Sequence, residues 1–156
     1  MQNVYQRALE VMEENFGHIV EMCLGSVFND IVSVRELNVY YKDGKMYVLS
    51  RCTNTLMRDI AVCPNVGLSH GPHNFRGVAR SLGHPTEEGN QELRKILKKE
   101  FSMNYDEYVK ESDLDMRIVE ISLTDAETFT RYHRYEIDFV GKTAHRDYGQ
   151  PLFIYR

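Results

Sequence analysis

Tyr40-Tyr41-Lys42-Asp43-Gly44-Lys45-Met46-Tyr47 is the stretch whose reading decides the fold. Asp-Gly supplies the positive φ that a two-residue hairpin turn demands, and the aromatic and β-branched residues on either side favour extended backbone. Residues 31–41 and 46–51 therefore read as a pair of antiparallel strands. Upstream, 18–24 has the same strand character. Before it, Tyr5, Leu9, Met12 and Phe16 recur at helical spacing and Gly17 follows as a stop, which predicts an N-terminal helix within 2–16. Downstream, Cys52-Thr53-Asn54-Thr55 offers successive N-cap candidates for a short helix over 56–62 that Pro64 helps to end. Strands over 65–70 and 75–82 flank a Gly71-Pro72 loop. Thr86, Glu87 and Glu88 then open a helix whose Leu93, Ile96, Leu97 and Phe101 share one face, with Lys98 and Lys99 late, where the helix dipole favours positive charge. A helical turn over 105–111 and strands over 116–123 and 127–139 complete the pattern, and 140–156 shows no clear period.

Six or seven strands dominated by hairpin neighbours, with few helices between them, disfavour a parallel doubly wound sheet. The expected architecture is mainly β: an antiparallel barrel with helical decoration, one domain over 1–156 made of a helix at 2–16, a barrel at about 18–139 and a tail at 140–156. The 156 residues suit one domain, and 42% hydrophobic with 27% charged residues is ordinary for a folded chain. Nineteen basic against twenty-three acidic side chains give a net charge of −4, the wrong sign for a protein that neutralises nucleic-acid phosphates. No apolar run approaches the ~20 residues of a membrane-spanning helix, and the N-terminus lacks a signal-peptide pattern, so neither a membrane nor a nucleic acid is expected as a partner and the expected location is cytoplasmic. Three scattered cysteines without Cys-x-x-Cys support neither a disulfide framework nor a thiolate zinc site. His70 and His73 are the one close histidine pair, with nothing near them in sequence to complete a metal site. Ser, His and Asp occur, but no Gly-x-Ser-x-Gly turn singles out a nucleophile.

Chemistry concentrates between Ser33 and Leu68. Arg35 lies on one strand, Ser50-Arg51 ends its hairpin partner, and Thr53-Asn54-Thr55 opens a helix. Hydroxyls, an amide, two guanidiniums and the unpaired N–H groups of a helix start suit an anion such as a phosphate, although plain N-capping with surface arginines accounts for the same residues. There is no Gly-rich phosphate loop of Walker or Rossmann type.

The order Val34-Arg35, Tyr40 to Tyr47, Leu49-Ser50, polar loop, short helix, Cys63-Pro64-Asn65-Val66-Gly67-Leu68 and Gly77-Val78-Ala79 resembles the pyridoxamine 5'-phosphate oxidase-like, flavin-binding split-barrel family over roughly residues 19–124. The resemblance implies a homodimer of split barrels with FMN in grooves at the subunit interface, and a flavin-dependent oxidoreductase acting on a small molecule. It implies that Arg35, Glu36, Leu37 and Asn38 line the flavin, that Ser50 contacts it or its phosphate, and that the start of the short helix, Asn54, Thr55 and Leu56, grips the phosphate. Here the sequence departs from the family's Ser-Arg-Lys pattern: Leu56 cannot donate and Thr55 carries no charge, which leaves Arg51 and Arg58 to compensate. Asn74 is the candidate polar residue contributed by the other subunit. A non-enzymatic flavin- or haem-binding module on the same barrel is the alternative, with His70, His73 and His84 as the residues that suggest haem.

Overall fold

The computed structural model describes residues 2–101 and 105–149. Helix α1 (Val4–Phe16) starts on a capping box: the Asn3 side chain accepts from the Gln6 N–H, and the Gln6 side chain accepts from the Asn3 N–H. Replacing Asn3 with Ala is expected to cost about 1 kcal/mol, read as a lower denaturation midpoint. Strands β1 (Val20–Phe28), β2 (Ile31–Lys42) and β3 (Lys45–Arg51) follow as consecutive hairpins. Asp43 (φ 50°) and Gly44 (φ 79°) make the second turn as the sequence predicts. The first turn is Asn29 (φ 50°) and Asp30 (φ 63°), so β1 runs on to Phe28 instead of ending near residue 24. Gly25-Ser26, beyond the expected end of the strand, sits inside it.

Helix α2 (Thr55–Val62), strands β4 (Asn65–His70) and β5 (His73–Ser81), a 3-10 turn at Glu88–Asn90, helices α3 (Gln91–Phe101) and α4 (Tyr105–Tyr108), and strands β6 (Met116–Phe129), β7 (His133–Asp138) and β8 (Thr143–Tyr148) complete the chain. All pairings are antiparallel, in the order β3-β2-β1-β4-β5-β6, and β3 also pairs with β6. That closure makes a six-stranded barrel, and β7 and β8 extend the sheet beyond it.

Two expectations change. Residues 116–129 form one strand of 14 residues where two were expected, with the turn displaced to 130–132. The register shifts at Arg76/Gly77, where Gly77 faces Leu123 and Arg76 faces Asp125, so Thr124 is an extra residue that breaks the polar alternation and imitates a turn. The stretch without a period holds β8, whose side chains are mostly exposed on both faces, so it carries no alternation to read. The apolar Pro151 to Tyr155 run lies outside the described residues.

The barrel interior is filled by Leu24, Met46, Val48, Phe75 and Ile121, closed at one side by Ala8, Val11 and Met12 of α1 and at another by Leu56 and Ile60 of α2. A second cluster packs Leu97, Phe101 and Tyr105 on Tyr40 and Ile118. Arg94 holds Glu111 through two bonds of 2.6 and 2.7 Å, keeping that carboxyl down at about 2 and tying the segment after α4 to α3. No helix among the described residues is long and apolar enough to cross a membrane.

Candidate functional site

The end of β3 turns into α2 beside the middle of β2, and this crossing opens a cleft of about 430 Å³ lined by Arg35, Glu36, Leu37, Leu49, Ser50, Asn54, Thr55 and Leu56. Seven of the residues singled out in sequence, Leu56 among them, thus converge, contributed by three elements. Ser50 is 5% exposed and points inward between buried Val48 and the start of α2. Its hydroxyl accepts from the Asn54 amide at 3.1 Å. Because Asn54 turns to Ser50, it makes no side-chain cap on α2, and the positive end of that helix borders the cleft uncapped. Leu56 belongs to the core at its position, 3% exposed, which is why no donor stands there.

The remaining candidates are placed elsewhere. Arg51 leans away to Asp113 (2.7 Å) and Asp115 (3.2 Å). Arg58, one turn into α2, lies over the Phe28 ring at 4.3 Å and donates to Asp59 at 2.9 and 3.1 Å. Asn38 is exposed on β2 outside the cleft lining, opposite Glu21 of β1. Asn74 lines a different groove with Arg76, Asp125 and Glu127, so within one chain it does not reach the cleft.

Behind the cleft lies a polar network that the sequence did not signal. Asp59, with no exposed surface, accepts from the Ser26 hydroxyl at 2.7 Å and from Arg58, and Arg35 Nη2 stands 4.0 Å away. Arg35 also donates to Ser26 Oγ (2.8 Å) and to the Leu24 carbonyl (3.2 Å). The Ser26 and Arg58 hydrogen bonds hold the Asp59 carboxyl below its ordinary range against the opposing effect of burial, whereas burial lowers the Arg35 guanidinium. Asp59 falls on the buried face of α2 with Leu56 and Ile60, at helical spacing.

The histidines form a separate group. His73 Nδ1 lies 2.8 Å from Thr128 Oγ1, which itself accepts from the Asn15 side-chain amide at 3.1 Å. His70 stacks on His73 with ring centroids 6.3 Å apart, and Phe16 meets the His73 ring edge-on. His84 lies apart, with ring nitrogens at 2.7 Å from Thr86 Oγ1 and 3.0 Å from the Asp113 carbonyl. Burial, helped by His70, pushes His73 down to about 4. The unfolded chain, with its histidine near 6.5, then binds more protons between those values, so stability falls as pH drops through that window. Allowing for partial exposure, the loss is on the order of 2 kcal/mol, and His73→Phe is expected to remove this part of the slope in urea denaturation at pH 7 and 4.5. Among the described residues no group of three or more His, Cys, Asp or Glu is placed to hold a metal ion.

Fold and cleft together define the class: an antiparallel split barrel carrying an anion-compatible helix start at its β2–β3 edge. Neither a family model nor a curated protein matches the sequence. Among solved structures, the General Stress Protein 26 from Bacillus anthracis superimposes with a TM-score of 0.60 at 16% identity, over 77% of this chain and 92% of its own. A FAD-binding protein from Mesorhizobium loti gives 0.60 at 17%, over 76% and 91%. HutZ, the heme storage protein from Vibrio cholerae, gives 0.57 at 14%, over 78% and 91%. The chain has the split-barrel fold of the pyridoxamine 5'-phosphate oxidase-like proteins, the fold that the sequence resemblance implied.

Proposed function

We propose that this chain is a flavin-binding split barrel, taking FMN in the β2–β3–α2 cleft and serving as an oxidoreductase for a small molecule. The observation that carries the reading is the convergence of Arg35 to Leu37, Leu49-Ser50 and Asn54 to Leu56 on one cleft. The donor set fits a phosphate ester held mainly by neutral groups, the uncapped start of α2 and the Thr55 and Ser50 hydroxyls, with one cation, Arg35, beside them. Bound there, the flavin supplies the redox chemistry, while the chain orients the ring and excludes water.

The same reading makes the protein a homodimer. Gly25 and Gly67 lie opposite each other in the β1–β4 register, and a Cβ on either would meet nothing closer than 3.8 Å. Neither has a positive φ, so the isolated chain has no need of glycine there, and a glycine inside a strand suits close approach by another backbone. Val32, 64% exposed, lines a groove of about 530 Å³ with both glycines, and Val34, 65% exposed, pairs with Gly25 on β2. A partner barrel seated on this face would bury those valines. Three free thiols suit a reducing, cytoplasmic setting.

The test is uptake of FMN by purified, folded protein, followed by absorbance and flavin fluorescence. A yellow complex that a reductant bleaches supports the proposal, and folded protein that takes up no FMN overturns it. A second reading, a ligand-binding barrel without turnover, is favoured by the engagement of Arg51 and Arg58 outside the cleft. It is distinguished by binding without turnover for any donor and acceptor pair.

A further inference from the structure

Two guanidiniums and one carboxylate stand at the wall between the cleft and α2. Arg35 lines the cleft with its side chain 24% exposed, Arg58 lies outside it, and Asp59 is buried between them with Ser26 completing its hydrogen bonds. Two positive charges less one negative leave one positive charge in this group. Glu36 on the cleft lining and Arg58 outside it, its side chain 56% exposed, are both screened by solvent, so the less exposed pair Arg35 and Asp59, 4.0 Å apart, governs the charge the cleft presents. A phosphomonoester at neutral pH carries between one and two negative charges, and nothing in the cleft lining matches the second. The helix start supplies dipoles, which favour an anion without discriminating strongly between one charge and two.

We infer that Asp59 is a built-in counter-anion that tunes the cleft's ligand specificity: by offsetting the charge of Arg35, the cation on the lining, it weakens the preference for phosphomonoesters over their neutral alcohols. This rests on the flavin reading of the cleft for its natural ligand, but the charge balance belongs to the chain alone. Asp59 acts through Arg35 and Arg58 and is a positioning residue. The substitution Asp59→Asn keeps the shape and raises the net charge of the group by one. At the separations and effective dielectric of a partly buried site, one added charge changes affinity for a dianion by about tenfold or more.

Riboflavin and FMN, which differ only in the phosphate, are titrated into wild-type, Asp59→Asn and Arg58→Gln protein, with flavin fluorescence as the readout. The FMN-to-riboflavin preference is expected to rise about tenfold in Asp59→Asn and to fall by a smaller factor, about threefold, in Arg58→Gln, which removes a solvent-screened positive charge while leaving Asp59 in place. A preference that does not move in either variant overturns the inference, and Arg58→Gln decides alone if Asp59→Asn does not fold. If no protein binds either flavin, the functional reading fails and inorganic phosphate decides the charge inference. Phosphate-dependent thermal stabilisation that is larger in Asp59→Asn than in wild type, or smaller in Arg58→Gln, supports it. Equal stabilisation of all folded chains overturns it.

Discussion

Gly77→Val is expected to lower the stability of the folded chain by about 3 kcal/mol, a large part of the 5–15 kcal/mol that a domain of this kind possesses. A Cβ at Gly77 would lie 2.7 Å from both the Ser122 carbonyl oxygen and Ile121 Cγ2, and 3.3 Å from the Leu123 Cα. Two of these three atoms are backbone, so no rotamer change relieves the contact. Gly77 sits where the register between β5 and β6 shifts, and β6 is also the strand that closes the barrel on β3. Displacing β6 there therefore loosens the seam as well as the local pair. Gly89→Ala is the control, because a Cβ at that position meets nothing within 4 Å. Urea denaturation of the two variants beside wild type gives the comparison. Equal midpoints for Gly77→Val and Gly89→Ala would remove the case for a close approach at the bulge.

The same bulge explains where the sequence stopped being legible. The β2–β3 turn was readable because Asp43-Gly44 states its geometry locally, and α1 because four apolar residues keep helical spacing. Thr124-Asp125 misled because a bulge and a turn both interrupt alternation, and only the partner strand tells them apart. β8 was missed because alternation reports burial, and a mostly exposed strand has none. In the cleft, Arg35, Ser50 and Asn54 could be found because the β2–β3–α2 order fixes which strand ends meet. The engagement of Arg51 with Asp113 and Asp115 was not readable, since those residues are more than sixty positions away in the chain. The Asp59 network escaped for a related reason: an acidic residue in a short helix looks solvated until β1 brings Ser26 beneath it.

If the proposed homodimer forms on the β1–β4 face, Gly25→Glu is expected to halve the mass of the protein in solution while leaving its fold intact. The side chain has room in the single chain, where the contacts nearest to a Cβ are at 3.8–3.9 Å and include the Gly67 and Ser33 carbonyl oxygens. In a two-fold dimer seated on this face each substitution occurs twice, so a pair of carboxylates would enter the apolar surface formed with Val32 and Val34. An uncompensated charge buried at an interface costs about 3–5 kcal/mol, a loss of at least ~100-fold in association. If the partner completes the flavin site, as the sequence resemblance implies, FMN affinity should fall as dimerisation is lost, and both should fall together as protein concentration is lowered. Light scattering gives the mass, circular dichroism the fold, and FMN fluorescence the affinity. A Gly25→Glu protein that stays dimeric would show that this face is not the interface. One that becomes monomeric yet binds FMN as tightly as wild type would place the whole site within one chain, and the glycine pair would then have served association alone.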